Sequence, residues 1–189
     1  MTIDVREAYR RALDDFGVLV HRIGPGQWEN PTPCVDWNVR ALVNHVVGES
    51  LWAPELLAGR NVAEIGDVFD GDLLGDDPPK AFDAAAAAAV HAASSDQALT
   101  CVTHLSFGDV PGAEYITELF ADALIHTWDL ARAIGADDRL DPELVEACAD
   151  WFAGAEEGYR QAGVIAEPQP LPADPDAQTR LLASWGRRA

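Results

Sequence analysis

The sequence is short of positive charge, of cysteine and of long apolar runs, and each shortage narrows what the chain can do. Only 13 Lys+Arg stand against 32 Asp+Glu in 189 residues, a formal net charge of −19. A field of that sign repels phosphate backbones and anionic lipid, so neither nucleic acid nor a membrane surface is an expected partner. Cys34, Cys101 and Cys148 lie far apart, form no C-x-x-C pair and are odd in number, which favours reduced thiols over a disulfide framework. No apolar stretch reaches spanning length, since even Ala84 to Ala93 is interrupted by His91. The first twenty residues interleave Arg6, Arg10, Arg11, Asp14 and Asp15 with apolar positions, unlike a signal peptide, so the expected location is the cytoplasm. Lysine is almost absent, Lys80 standing alone, and arginine replaces it in the manner of a GC-rich genome. Also missing are G-x-G-x-x-G, a Walker loop, G-x-S-x-G and H-E-x-x-H, which removes support for nucleotide binding, hydride transfer and the familiar hydrolases.

What is present is enough apolar surface, 48% of residues, for one folded domain over residues 1–189, with a bundle core at about 3–160 and a C-terminal extension at 164–189. Apolar residues three and four apart (Val5, Tyr9, Leu13, Phe16, Leu19, Ile23) predict a helix over 3–22 that Gly24-Pro25-Gly26 ends. Asp36 or Asn38 can cap a second helix through Leu42, Val43, Val46 and Val47 toward Leu57. Residues 66–79 read as an exposed acidic connection, and 79–93 as an alanine helix that packs closely but shallowly. The β-branched run Thr100, Val102, Thr103 predicts a short extended segment between Leu99 and Phe107, and the chain turns over 108–112. A helix of some twenty residues then carries Ile116, Leu119, Phe120, Ala123, Thr127, Leu130 and Ile134 to a stop at Gly135. Asp141-Pro142-Glu143 opens a fifth helix ending near Gly163, and Asp174-Pro175 a last short one that docks Leu181, Leu182 and Trp185. The sum is an all-α antiparallel four-helix bundle with a short strand-like insert and extra C-terminal helices.

Two of these helices carry histidine at the border of the apolar stripe: His45 on the second, and His126 on the later one, where Asp122 precedes it by four residues on the same face. Two histidines and one carboxylate are the inventory of a divalent-metal site. The same spacing equally describes a solvated ion pair or a structural hydrogen bond. Asp129 and Glu118 compete as carboxylates near His126, and Glu49 lies one turn from His45; each can also be a solvent-facing residue. His21 reads as a cap or surface residue, and His91 and His104 as packing or surface residues. No cysteine has a basic or histidine neighbour in sequence that would stabilise a thiolate.

The stretch PTPCVDWNVRALVNHVVGE, Pro31 to Glu49, resembles the PC-x-x-W…L-x-x-H block of DinB-like helical bundles related to the metal-binding N-terminal domain of mycothiol-dependent maleylpyruvate isomerase, of actinobacterial type. FGDVPGAEY, Phe107 to Tyr115, followed by DALIHTWDLARAIG, Asp122 to Gly135, resembles the strand-turn and the D-x-x-x-H-x-W-D-L-A helix of the same group. The two blocks stand in the right order about eighty residues apart, within a likeness spanning most of residues 3–160. The resemblance implies a DinB-like four-helix bundle in which His45, Asp122 and His126 hold a divalent ion, zinc foremost, with nickel, iron or manganese as alternatives. Aspartate replaces the glutamate of the isomerase at position 122, which shortens that ligand by one methylene. The isomerase carries a further C-terminal domain, and this chain ends about where that domain would begin, so isomerisation of maleylpyruvate itself is not expected.

The activity implied is transfer of a low-molecular-weight thiol, mycothiol as cosubstrate, to a small electrophile through a metal-activated thiolate. Tyr115, on the face of Asp122, is the candidate proton donor, and Leu42, Trp52 and Leu119 are the candidate pocket lining. The alternatives are hydrolysis by water on the same ion and a non-catalytic metal-binding or ligand-sensing bundle. Homodimerisation is compatible with either.

Overall fold

A computed structural model describes residues 3–35, 37–163 and 165–188, so the capping expectation for Asp36 lies outside the described residues. Eight helices and one two-stranded sheet are seen among them, an all-α fold with a short strand insert. The first helix, α1 (Val5–Val20), starts where the Asp4 carboxylate accepts from the Arg6 backbone N–H at 2.9 Å. Its apolar stripe buries Tyr9, Leu13, Phe16 and Val20. Helix α2 (Val39–Leu57) is capped by Asn38, whose side-chain oxygen accepts from the Ala41 N–H at 2.8 Å. Helix α3 (Val62–Ile65) is a single turn held by a reciprocal cap between Asn61 and Glu64.

Helix α4 (Pro78–Ala93) offers α1 little more than Phe82, Ala85, Ala89 and Ala93. Close approach makes up for that shallow face: a side chain at Gly17 would bring a Cβ to 2.8 Å from the Phe82 ring. Helix α5 (Asp96–Thr100) precedes strand β1 (Val102–Leu105), which pairs antiparallel with β2 (Gly108–Pro111). Helix α6 (Gly112–Ile134) is the longest and most buried, and Gly135 ends it as expected. Helices α7 (Pro142–Gln161) and α8 (Ala177–Ser184) complete the chain order.

The bundle consists of α1, α2, α4 and α6, with α1 and α2 each touching both α4 and α6. Helix α7 packs on α6, and α8 on α7. One continuous core runs through all of them, from Tyr9 and Phe16 through Leu42, Ile116 and Trp128 to Phe152 and Leu182. Among the described residues no helix is long and apolar enough to cross a membrane.

Three local expectations need correction. Leu99 and Thr100 are helical rather than extended, because Ser95 caps a short turn by accepting from the Ala98 N–H at 3.1 Å. Residues 108–111, read as a turn, form the second strand, and the chain reverses at Ser106 and Phe107 instead. The acidic 66–79 connection is not wholly exposed either. Leu74 is buried, the Asn44 side-chain oxygen accepts from the Leu73 N–H at 2.8 Å, and Arg40 pairs with Asp72 at 2.9 Å.

Candidate metal centre

The site forms where α2 and α6 run side by side, because each helix places a histidine at the edge of a stripe that is otherwise core. Leu42, Val43, Val46 and Val47 sink into the bundle and leave His45 at the border. On α6, Leu119, Ala123 and Leu130 do the same for Asp122 and His126. His45 Nε2 meets the two Asp122 carboxylate oxygens at 3.3 and 3.2 Å, and His126 Nε2 lies 3.2 Å from Oδ1. One donor atom from each of the three residues falls within 4.8 Å of the other two. Two imidazole nitrogens and a carboxylate oxygen at that separation fit one divalent ion.

The loop before α2 lays Trp37 across both histidines, with its ring centroid 4.7 Å from His45 and 5.6 Å from His126. That loop is pinned locally: the Thr32 hydroxyl donates to the Trp37 carbonyl at 3.0 Å, and the Trp37 N–H donates to the Cys34 carbonyl at 3.1 Å. His126 is braced from the other side. Its Nδ1 is 3.0 Å from Asp129 Oδ2, which directs Nε2 toward Asp122. Asp129 is wholly buried and takes a two-pronged contact from Arg187, Nε to Oδ1 at 3.1 Å and the terminal nitrogen to Oδ2 at 2.7 Å.

Electrostatics follow from this crowding. Burial works against the His126 imidazolium, but the adjoining Asp122 carboxylate, with the hydrogen bonds the ring donates to Asp122 and Asp129, outweighs it and raises the pKa to about 9. The same contest raises His45. Asp122 is desolvated too, yet the two imidazoles hold its carboxyl well below the usual range.

The triad opens into a cavity of about 430 Å³ whose wall includes Cys34, Trp37, Glu49, Tyr115, Glu118 and Leu119. Tyr115 Oη is buried there without a hydrogen-bond partner among the described residues. Burial, reinforced by Glu49, pushes that hydroxyl above its ordinary pKa, so it keeps its proton. Burial likewise raises Glu118 to about 7, with Glu114 and Glu49 adding to it, and raises Glu49. Ile165, Trp185 and Arg187 bring the C-terminal segment onto the same cavity.

Of the residues expected to line a pocket, Leu119 does so. Leu42 does not: it is completely buried within the bundle. Trp52 faces a neighbouring hollow of about 300 Å³, which shares Glu49, Tyr115 and Glu118 with the first. Asp129 is no surface carboxylate, and it meets the far nitrogen of His126 rather than competing with Asp122 for the near one. The remaining histidines stay outside. His21 pairs with Asp83 at 2.9 Å and His104 with Asp109 at 2.7 Å, both on the surface, and His91 is exposed. All three cysteines are free, and burial raises each thiol's pKa. Trp37 stands in the PC-x-x-W block and Trp185 in the last predicted helix, but spacing places neither at the site, and Tyr159 and Arg187 have no signal in spacing, since each reaches the site from outside the α2–α6 pair.

Residues 9–131 match the family described as mycothiol maleylpyruvate isomerase N-terminal domain. Two uncharacterized proteins, from two strains of Mycobacterium tuberculosis, are each 33% identical over 187 residues, covering 98% of this chain and 98% of the relative. No solved structure matches the chain.

Proposed function

The chain belongs to the mycothiol maleylpyruvate isomerase N-terminal domain family, and from that premise we propose that it is a divalent-metal-dependent transferase of a low-molecular-weight thiol, with mycothiol as the cosubstrate. The observation that carries this reading is the convergence of His45, Asp122 and His126 at a cavity that also holds a buried tyrosine hydroxyl with no partner among the described residues. His45 and His126 would hold the ion through Nε2 and Asp122 through its carboxylate. Two histidines and a carboxylate suit zinc, iron(II), nickel or manganese, and zinc is the ion proposed. Once bound, the ion supplies Lewis acidity that turns a thiol of ordinary pKa, about 8.5, into a thiolate at neutral pH.

The chain's own residues then divide the remaining work. Glu118, poised at about 7, accepts the proton that the entering thiol gives up. Trp37 and Leu119 wall the electrophile and exclude water. As the carbon–sulfur bond forms, an electron pair moves from the electrophilic carbon onto its leaving group or a conjugated oxygen. Tyr115 Oη, protonated and without a hydrogen-bond partner among the described residues, donates a hydrogen bond there. The electrophile assigned is small and uncharged: Arg187 is the sole guanidinium or ammonium among the described lining residues, and Asp129 already engages it.

The test is elemental analysis of the purified protein, followed by a thiol-conjugation assay with mycothiol and a panel of uncharged electrophiles. The expected result is one metal per chain, thiol-dependent product, and loss of product in Tyr115→Phe and Glu118→Gln. Turnover without thiol would assign hydrolysis. A metal-dependent rise in melting temperature with no effect of thiol or electrophile would assign a binding protein.

A further inference from the structure

We propose that the C-terminal segment is a working part of the metal centre: Arg187, acting through Asp129, fixes the ring of His126 so that Nε2 faces the ion. This role rests on the metal reading under Proposed function. It adds one positioning residue, Arg187, from beyond the residues 9–131 that match the family.

Arg187 is delivered by a docked helix end. Trp185 closes α8 stacked on Phe152 of α7, with ring centroids 4.5 Å apart and planes at 28°, and it meets Tyr159 edge-on. Gly186 then turns the backbone with φ of +78°, and a Cβ there would lie 2.7 Å from the Cβ of Ala166. Two contacts to backbone carbonyls secure Arg187 itself. Its N–H donates to the Leu182 carbonyl at 2.8 Å, and a guanidinium nitrogen donates to the Trp185 carbonyl at 3.0 Å. The guanidinium is thereby aimed inward, with 12% of its side chain exposed, onto a carboxylate that is fully buried.

Asp129 in turn has one further side-chain partner among the described residues, His126 Nδ1. A carboxylate held at both oxygens by a planar fork cannot swing, so the proton on Nδ1 has a fixed acceptor and the ring a fixed orientation. Without the fork, Asp129 is a buried charge with one neighbour, free to rotate away from the ring or to draw in water. His45 has no equivalent brace among the described residues. It is held by Trp37 and by Asp122 itself, and a quarter of its side chain is exposed. The histidine braced at its far nitrogen is therefore the one that the C-terminal segment supports.

The experiment compares wild type with Arg187→Met, Arg187→Lys and Phe82→Leu, the last loosening the packing of α4 on α1, away from the relay. Three readouts are taken: the imidazole Nδ1 proton signal of His126 by NMR, identified by its loss in His126→Gln; zinc affinity by competition with a chromophoric chelator; and the visible spectrum of the cobalt-substituted protein. Arg187→Met is expected to lose the slowly exchanging Nδ1 proton, bind zinc about 10- to 100-fold more weakly, and show an altered cobalt spectrum. Arg187→Lys should fold and recover part of the affinity, since it restores the charge but not the fork. Phe82→Leu should lower the melting temperature and leave all three signatures in place. The positioning role is overturned if either folded Arg187 variant keeps the wild-type Nδ1 signal and zinc affinity. It is also overturned if Phe82→Leu moves the signatures as far as Arg187→Met does. Should wild type bind no metal while Arg187→Met still erases the Nδ1 signal, the metal reading fails and the positioning of His126 by Arg187 stands.

Discussion

Two arginine networks in this molecule use the same chemistry in opposite settings. On the outer face of α1, Arg10 pairs with Glu7 at 2.6 Å and with Asp14, and Arg11 reaches across to Asp141 and to Glu143 at 2.7 Å. Beneath the C-terminal segment, Arg187 pairs with Asp129 in a place where the carboxylate sees no solvent. The outer pairs compete with water and salt and spend side-chain entropy to form. The inner pair has no water to fall back on, so each member depends on the other. Short distances are common to both networks, and burial decides which of them matters.

That contrast orders the expected effects. Breaking the inner pair is the largest: Asp129→Ala leaves Arg187 and His126 facing each other across a void and should cost about 3–5 kcal/mol in urea unfolding. Next comes metal linkage. Zinc supplied at about 100 times its dissociation constant should add roughly 2.7 kcal/mol to wild type, and His126→Ala should abolish that increment.

A smaller effect of opposite sign is expected at Glu118. Its folded pKa of about 7 lies above the ordinary carboxyl value of 4.5, so the folded state binds the proton more tightly than the unfolded one. Stability is therefore lost as pH rises from 4.5 through 7, and the full penalty is present above 7. Glu118→Gln should gain about 1–2 kcal/mol at pH 8, after allowance for its partial exposure, and nothing at about pH 4. The same variant should lose turnover, a trade of activity for stability. Smallest of all, Arg10→Ala should leave the melting temperature unchanged in physiological salt, and a marked drop would erase the distinction between the two networks.

Much of this was legible in the residue order. The period of the stripes fixed α1, α2 and α6, and Asn38, Gly135 and Asp141 marked ends that the structure keeps. His45, Asp122 and His126 could be picked out because a helix converts spacing into facing direction. Where local propensity competes with a cap or a pairing partner, that reading failed. Ser95 made a helical turn of Leu99 and Thr100, and pairing with β1 made a strand of residues that read as a turn. Arg187 was invisible for a different reason. It sits 58 residues from Asp129 and reaches it through the docking of Trp185 on Phe152 and a glycine turn, neither of which has a period.

On the proposed reading, His45, Asp122 and His126 together hold one divalent ion. Elemental analysis of wild type and of His126→Ala, purified side by side, tests it most directly. One equivalent of metal per chain is expected in wild type and little in the variant. Equal metal content in the two proteins, or none in wild type after incubation with zinc, would contradict it.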